Sequence, residues 1–227
     1  MDFNRAIDLI RKDPDWLKKC AFPGLIFFVT SFIPLVNIAG FAAMLGWQRR
    51  IFDAAREGRE ELPEHDIGAD LAYGVDPLLA VLNLLLPMGF VGLLTFGLPM
   101  IVGAMVAALL QGSDLAAIFA VGMMLFQVAG FFVFAAMVAF SFAAMPELLR
   151  RGFRGERLPL LSIGKSVALV RANPVPYLVL CACMVVANMV GGIGVYLCCV
   201  GMIITQPIGN AFAAHLLGQW DAMNPEG

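Results

Sequence analysis

Apolar residues run in four long stretches along the chain, and polar residues gather between them. The stretches cover residues 22–47, 78–111, 115–146 and 177–217. They contain no Asp, Glu, Lys or Arg, and their one histidine is His215 near the end of the fourth. A membrane helix needs about 20 predominantly apolar residues. The fourth stretch is long enough for two such helices, and the glycines at 191–194 predict a turn near its middle.

The second and third stretches predict one long helix each, which together form a hairpin. A tight turn at residues 111–114 separates the second stretch from the third, and Pro87 and Pro99 predict kinks or tilt in the second. The first stretch fits either one tilted span or a compact hairpin that turns at residues 33–37. The legs of such a hairpin are short, so a re-entrant loop stays open as an alternative.

Charge placement favours the hairpin. Lysines precede the first stretch and arginines follow it, and a single span would place these two groups on opposite sides of the membrane. Three hairpins place all 15 Lys and Arg on one face, as the positive-inside rule prefers, and leave only Asp114 of the 17 acidic residues on the other. We therefore predict an all-α membrane protein of about six transmembrane or half-spanning helices, with both termini cytoplasmic, in a bacterial or archaeal inner membrane.

Short matches within the chain indicate a repeat. Leu62-Pro63 with Ile67-Gly68 recurs as Leu158-Pro159 with Ile163-Gly164. The predicted units are residues 1–58, 59–156 and 157–227, which together form a single membrane domain. Each unit combines a short amphipathic surface helix, a proline-containing bend and a membrane hairpin. In the first unit, Phe3, Ile7 and Ile10 recur at helical spacing, and this helix lies either on the membrane surface or packed on the protein.

Composition supports the membrane assignment. The chain of 227 residues is 60% hydrophobic and 14% charged, with a mean hydropathy of +0.84. Soluble domains are about 45–50% apolar and about 25% charged. The net charge of −2 offers no basic excess for nucleic acid. The composition therefore argues against a soluble enzyme, and the net charge argues against a nucleic-acid-binding protein.

Several short motifs resemble an uncharacterised prokaryotic membrane family, domain of unknown function 4013. They are the segments at residues 13–19 (DPDWLKK), 33–37 (IPLVN), 61–64 (ELPE), 191–201 and 206–208 (QPI). The resemblance covers most of the chain and implies a multi-spanning membrane protein. It implies no activity, substrate or catalytic residue. The family's usual tryptophan after Leu-Pro-Glu is His65 in this chain.

Polar side chains within the apolar stretches are the candidates for a membrane-embedded path. The candidates are Asn83, Gln127, Asn188 and Gln206. Such residues either line a path for a substrate or hydrogen-bond between helices, and the second role is the more common. Asn37 is assigned to the turn of the first hairpin, and His215 to the membrane interface. The five cysteines are interpreted as packing residues, with no metal set among them.

Nothing in the chain predicts a catalytic centre, a cofactor or a metal site. There is no glycine-rich phosphate loop, HExxH or GxSxG motif. His65 lies in an acidic loop and reads as a solvated residue rather than a ligand. Basic residues set topology and can also contact anionic lipid headgroups; the candidates are Arg49, Arg50, Arg150, Arg151 and Arg154.

These patterns lead to a functional hypothesis. The leading interpretation is a non-enzymatic membrane protein that self-associates or organises the inner membrane, with membrane lipids as partners and a protein partner on its cytoplasmic face as a further option. Small residues at 135, 139 and 143 favour close helix packing. The alternative is a transporter or channel for a small or lipophilic molecule. A third interpretation is a lipid-acting enzyme in which Glu147 and the arginines at 150–154 bind headgroups.

Overall fold

The all-helical prediction is confirmed. A computed structural model describes residues 1–110, 113, 115–156, 174–196 and 201–224, and these residues form seven helices and no strand. The helices are α1 (Phe3–Arg11), α2 (Trp16–Thr30), α3 (Pro34–Arg56), α4 (Ile67–Leu109), α5 (Leu115–Phe153), α6 (Pro174–Ile193) and α7 (Met202–Met223).

Among the described residues, three helices are long and apolar enough to cross a membrane: α4, α5 and α6. The first stretch gives two shorter or more polar helices instead. α2 has 15 residues, and α3 carries Arg49, Arg50 and Asp53 near its end. Half of the six predicted membrane helices therefore have spanning length and composition.

The first stretch turns where a proline can begin a new helix. α2 ends at Thr30, and Pro34 opens α3, where its fixed φ and missing N–H are tolerated. The rings of Phe27 and Phe41 pack across the pair with centroids 6.3 Å apart. Asn37 does not form the turn. Its amide donates to the Ile33 carbonyl at 2.8 Å, within the first turn of α3.

The second repeat unit lacks the separate amphipathic helix that the pattern predicts. Residues 60–66 are not helical, and Asp66 caps α4 by accepting from the amides of Gly68 at 3.0 Å and Ala69 at 3.1 Å. The polar first turns and the apolar segment form one continuous helix, although Pro77 at their junction and Pro87 each remove one backbone donor. Its irregularity is a π-helical segment, Leu93–Gly97, just before Pro99. The matching helix of the third unit, at residues 157–173, lies outside the described residues.

The chain divides into two compact units. One combines residues 1–81 with 146–227, and the other is residues 82–145. The first unit holds a core centred on α3 and α7, with Trp47, Ile51, Phe52, Leu216 and Trp220 fully or almost fully buried. α1 packs on this core through Ala6 and Leu9, which settles its contact with the protein, while Phe3 and Ile7 remain exposed.

The second unit is a pair of antiparallel helical segments from α4 and α5. The rings of Phe96 and Phe134 meet edge to face with centroids 5.6 Å apart. The Ser141 hydroxyl lies 3.0 Å from the sulfur of Met88. Position 88 meets 141 and position 96 meets 134, so residue numbers rise along one segment as they fall along the other, and the two segments are antiparallel.

Candidate functional site

A buried ion network joins three helices in the first unit. Asp221 on α7 accepts from Nη1 of Arg150 on α5 at 2.8 Å. Nε of Arg154, which directly follows α5, forms an ion pair with the same oxygen at 2.7 Å. The second oxygen of Asp221 lies 3.1 Å from Nε of Arg56 on α3. The side chains of Asp221 and Arg150 have no exposed surface. The network therefore fixes α3, α5 and α7 at one point.

Arg150 also forms a fork with a carboxylate on its own helix. Its Nε and Nη2 donate to the two oxygens of Glu147, each at 2.7 Å. Bidentate charge-assisted bonds of this kind are among the stronger ones in proteins. Glu147 and Arg150 are both buried, so the headgroup-binding role considered for this pair would require the network to open.

A second buried carboxylate organises the loop before α4. Asp70 pairs with Nε of Arg50 at 2.9 Å and with Nδ1 of His65. The His65 ring stacks on Trp47 with centroids 5.9 Å apart and meets the edge of Phe22 at 5.2 Å. The solvated role predicted for His65 is wrong, because stacking and the Asp70 contact bury its side chain.

All five arginines predicted to contact headgroups have carboxylate partners within the chain. Arg49 lies 3.1 Å from Asp76, and Arg151 lies 2.7 Å from Glu156. Arg50, Arg150 and Arg154 belong to the two networks above. Arg150 is enclosed by protein, whereas the other four line the surface of the first unit to varying degrees. Their contact with lipid stays a prediction.

Two of the four predicted path residues share a cavity in the first unit. Asn188 on α6 and Gln206 on α7 line a space of about 190 Å³ together with Gln48 and Asn210. Apolar side chains complete its wall; they are Phe27, Phe41, Met44, Leu45, Val81 and Leu149. Four carboxamides in an otherwise apolar, uncharged wall suit a neutral hydrogen-bonding guest.

Asn83 and Gln127 belong to the second unit. Asn83 is buried on α4, and Gln127 is half-buried on α5. Their role in a path stays a prediction. Gln48 is the polar lining residue that sequence reasoning missed, since it borders the basic end of its stretch. Asn210 is one of the polar residues that the fourth apolar stretch offers for such a path, and it follows Gln206 at helical spacing.

The N-terminus is held on α7 by a carboxamide. Gln219 accepts from the Asp2 amide at 2.6 Å and donates to the Asp2 carbonyl at 3.0 Å. Its amide nitrogen also lies 3.1 Å from Nδ1 of His215. His215 is therefore a buried partner of Gln219 in this unit, and its place at the membrane interface stays a prediction.

Ion pairs tie α1 to the loop that follows α3. Glu60 receives Nε of Arg5 at 2.6 Å and Nζ of Lys12 at 3.2 Å. These two cations hold the pKa of Glu60 below its usual range. Of the cysteines, Cys20 is buried and Cys181 and Cys183 are half-buried, while Cys198 and Cys199 lie outside the described residues.

Comparison with known proteins identifies the family to which the chain belongs. No curated protein and no solved structure matches the chain. The family described as Protein of unknown function (DUF4013) matches residues 26–200. That segment contains the end of α2, all of α3, α4, α5 and α6, and the loop that carries His65. Because the match spans well over half of the chain, the protein belongs to this family, as the short motifs suggested.

Proposed function

We propose that the protein is a non-enzymatic component of the inner membrane that self-associates through its second unit and thereby organises the membrane around it. The observation that carries this proposal is the exposure of that unit. Only 22% and 17% of the most apolar segments of α4 and α5 are buried within the chain. Apolar faces of this extent require lipid or another protein surface.

One stripe on the second unit suits a second helix better than lipid. Ala135, Ala139 and Ala143 recur every fourth residue of α5 and are exposed. Small residues at this spacing let helix backbones approach closely, which is how many membrane helices associate. A second copy of the chain offers the same stripe, so the contact would be self-complementary.

The proposal includes six membrane helices in three hairpins, formed by α2 with α3, α4 with α5, and α6 with α7. The clasp between Asp2 and Gln219 supports placing both termini on one side. The close approach of α6 and α7, where the Thr205 hydroxyl donates to the Gly191 carbonyl at 2.8 Å, supports pairing them. Basic residues between hairpins place that side in the cytoplasm.

Particle mass in lipid nanodiscs or native membrane vesicles tests self-association. We expect a dimer or larger particle for the wild type and a monomer for Ala139→Phe, because the added ring blocks close helix approach. Val133→Phe is the matched control, since position 133 lies about 120° around the helix from position 139. A wild-type monomer in native membranes would refute the proposal.

The carboxamide cavity favours a second candidate, passage of a small neutral solute. Gln48, Asn188, Gln206 and Asn210 offer hydrogen bonds without charge. Swelling of proteoliposomes in glycerol and urea tests it. We expect faster swelling than in empty liposomes, with loss in Gln206→Leu and retention in Gln127→Leu, whose residue lies in the other unit. Equal swelling with and without protein would remove this candidate.

A further inference from the structure

A polar cavity of about 200 Å³ lies where α2 begins, within the first unit. Its wall combines residues of α2 with residues of the loop before α4, namely Asp15, Lys18, Lys19, Phe22, Glu64 and His65. It is separate from the carboxamide cavity, with which it shares no lining residue. Both signs of charge therefore face the same small space.

The imidazole of His65 is fixed in this wall by its neighbours. Its side chain is only 6% exposed, and Asp70 engages Nδ1. Both ring nitrogens are buried and make no hydrogen bond within the described residues; Nδ1 has the Asp70 carboxylate beside it, whereas Nε2 forms no ion pair in the same part of the chain. A buried polar atom without a partner costs free energy. A polar guest in the cavity that hydrogen-bonds to Nε2 would recover that cost. Only the Phe22 ring, which packs edge-on against His65 and is 43% exposed, would have to shift to admit it.

The charges in the wall are not all neutralised by one another. Lys19 pairs with Asp13 at 2.8 Å. Within the described part of the chain, by contrast, Lys18, Asp15 and Glu64 form no ion pair. An ammonium and two carboxylates around one space match a guest that carries both a negative and a positive group. Among the described residues no set of three His, Cys, Asp or Glu could hold a metal ion, so a zwitterion is the better match.

An apolar stripe on α2 begins at the cavity and leads away from it. Phe22, Leu25 and Val29 follow the i, i+3, i+7 spacing of one helix face and are 43%, 48% and 58% exposed. A polar cavity continued by an apolar stripe fits a molecule with a charged head and a hydrocarbon tail.

We propose that this cavity binds the headgroup of a zwitterionic phospholipid with a primary ammonium, of the phosphatidylethanolamine class. Lys18 faces the phosphate, Glu64 and Asp15 receive the ammonium, and His65 Nε2 hydrogen-bonds to a phosphate or glycerol oxygen. One acyl chain follows Phe22, Leu25 and Val29. The site serves a single chain, so it goes beyond self-association and does not depend on it.

Native mass spectrometry of the purified full chain in mild detergent tests the site. The probes are phosphatidylethanolamine and phosphatidylglycerol with identical acyl chains, and glycerophosphoethanolamine, which has the same head without tails. The variants are Lys18→Gln and Glu64→Gln. Arg11→Gln and Glu61→Gln are matched controls, because these exposed residues do not line the cavity.

We expect phosphatidylethanolamine to bind about tenfold more tightly than phosphatidylglycerol, the scale of one charge-assisted hydrogen bond. Lys18→Gln should weaken both lipids, whereas Glu64→Gln should weaken only phosphatidylethanolamine and so erase the preference. The controls should bind as the wild type does. Equal or tighter binding of phosphatidylglycerol would overturn the proposal, as would a preference that neither variant alters. Binding of glycerophosphoethanolamine as tight as that of the lipid would overturn the acyl part and assign the cavity to a soluble zwitterion.

Discussion

Asp221 shows how a single residue can hold several helices when it is fully buried. Three guanidinium groups, from Arg56, Arg150 and Arg154, surround its carboxylate. The burial of charge is costly, and a buried pair adds little net stability relative to an apolar replacement of the same shape. The value of the network lies instead in specificity, since only one arrangement of the helices satisfies all of its members.

Removal of one member leaves the others buried without compensation. We expect Asp221→Asn to lower the free energy of unfolding by about 3 kcal/mol, because Arg150 then keeps only Glu147 as a buried counter-charge. The measurement is thermal or denaturant unfolding in mild detergent. Asp8→Asn is the control, since its pair with Lys12 at 2.9 Å is solvent-exposed and should contribute at most about 1 kcal/mol. Equal losses in the two variants would contradict this account.

Asp13 gives a pH dependence whose sign is fixed by its surroundings. Burial alone raises the pKa of Asp13, but the Lys19 ammonium at 2.8 Å and the Asp15 amide at 2.9 Å together hold it below its ordinary value of 3.8. A carboxyl with a depressed pKa in the folded state stabilises above its unfolded pKa, and that contribution is lost as pH falls through the folded value.

We therefore expect Asp13→Asn to melt below the wild type at pH 6 and the gap between them to close between pH 4 and pH 2. Melting temperature as a function of pH checks this. Asp8→Asn provides the comparison for general acid effects. A gap that is constant over the range would show that Lys19 does not stabilise the Asp13 carboxylate.

The sequence identified candidate residues better than it identified the residues that contact them in the folded protein. Asn188 and Gln206 stand out because they are polar within apolar stretches, and they do share a cavity. His65 is assigned to solvent from its acidic loop, because its burial depends on Trp47, Phe22 and Asp70, two of which lie far away along the chain. Contacts between distant residues follow from tertiary packing, and a local pattern carries no information about them.

At the scale of elements, long apolar runs predicted the helices well. α4, α5 and α6 fall where their stretches predict them, because length and apolarity alone specify a membrane-compatible helix. The start of α4 at Ile67 was missed, since the Asp66 cap fuses a polar segment to the apolar one. Periodicity identified α1 as a helix, but it could not decide between membrane and protein as the surface beneath it.

Packing between α3 and α4 depends on glycine at Gly46. A Cβ at this position would overlap the backbone carbonyl of Asp70, which cannot move without disturbing Arg50 and His65. We expect Gly46→Ala to destabilise by about 1–3 kcal/mol, the usual cost of overpacking. Gly89→Ala is the opposite case, since nothing lies within 4 Å of the added methyl and helix propensity favours Ala by about 1 kcal/mol. Unfolding in detergent should show a lower free energy of unfolding for Gly46→Ala and a higher one for Gly89→Ala than for the wild type. A Gly46→Ala variant as stable as the wild type would contradict the close approach of the two helices.

At the scale of the whole molecule, charged residues and apolar residues are divided unequally between the two units. The described ion pairs lie in the unit of residues 1–81 and 146–227, whereas residues 82–145 contain one charged residue, Asp114, outside the described part. The unit that contains the network and the two cavities is therefore chemically distinct from the unit that offers apolar surface. Self-association, as proposed above, would use the apolar surface of the second unit, whereas the proposed phospholipid site lies in the first.

The unequal placement of charged residues along the chain predicts a membrane topology that cysteine labelling can measure. With the five native cysteines replaced by alanine, we expect Leu35→Cys and Ser113→Cys to react with a membrane-impermeant maleimide from outside the cell. Both positions are exposed, and the proposed topology places their turns on the outer side. Glu61→Cys should react only after permeabilisation, since it lies in the charged loop between α3 and α4. Labelling of positions 35 and 61 from the same side would show that the first hairpin re-enters rather than spans. In that case Ser113→Cys alone would still report the outer face, because α4 and α5 each have the length to cross the bilayer without the first hairpin.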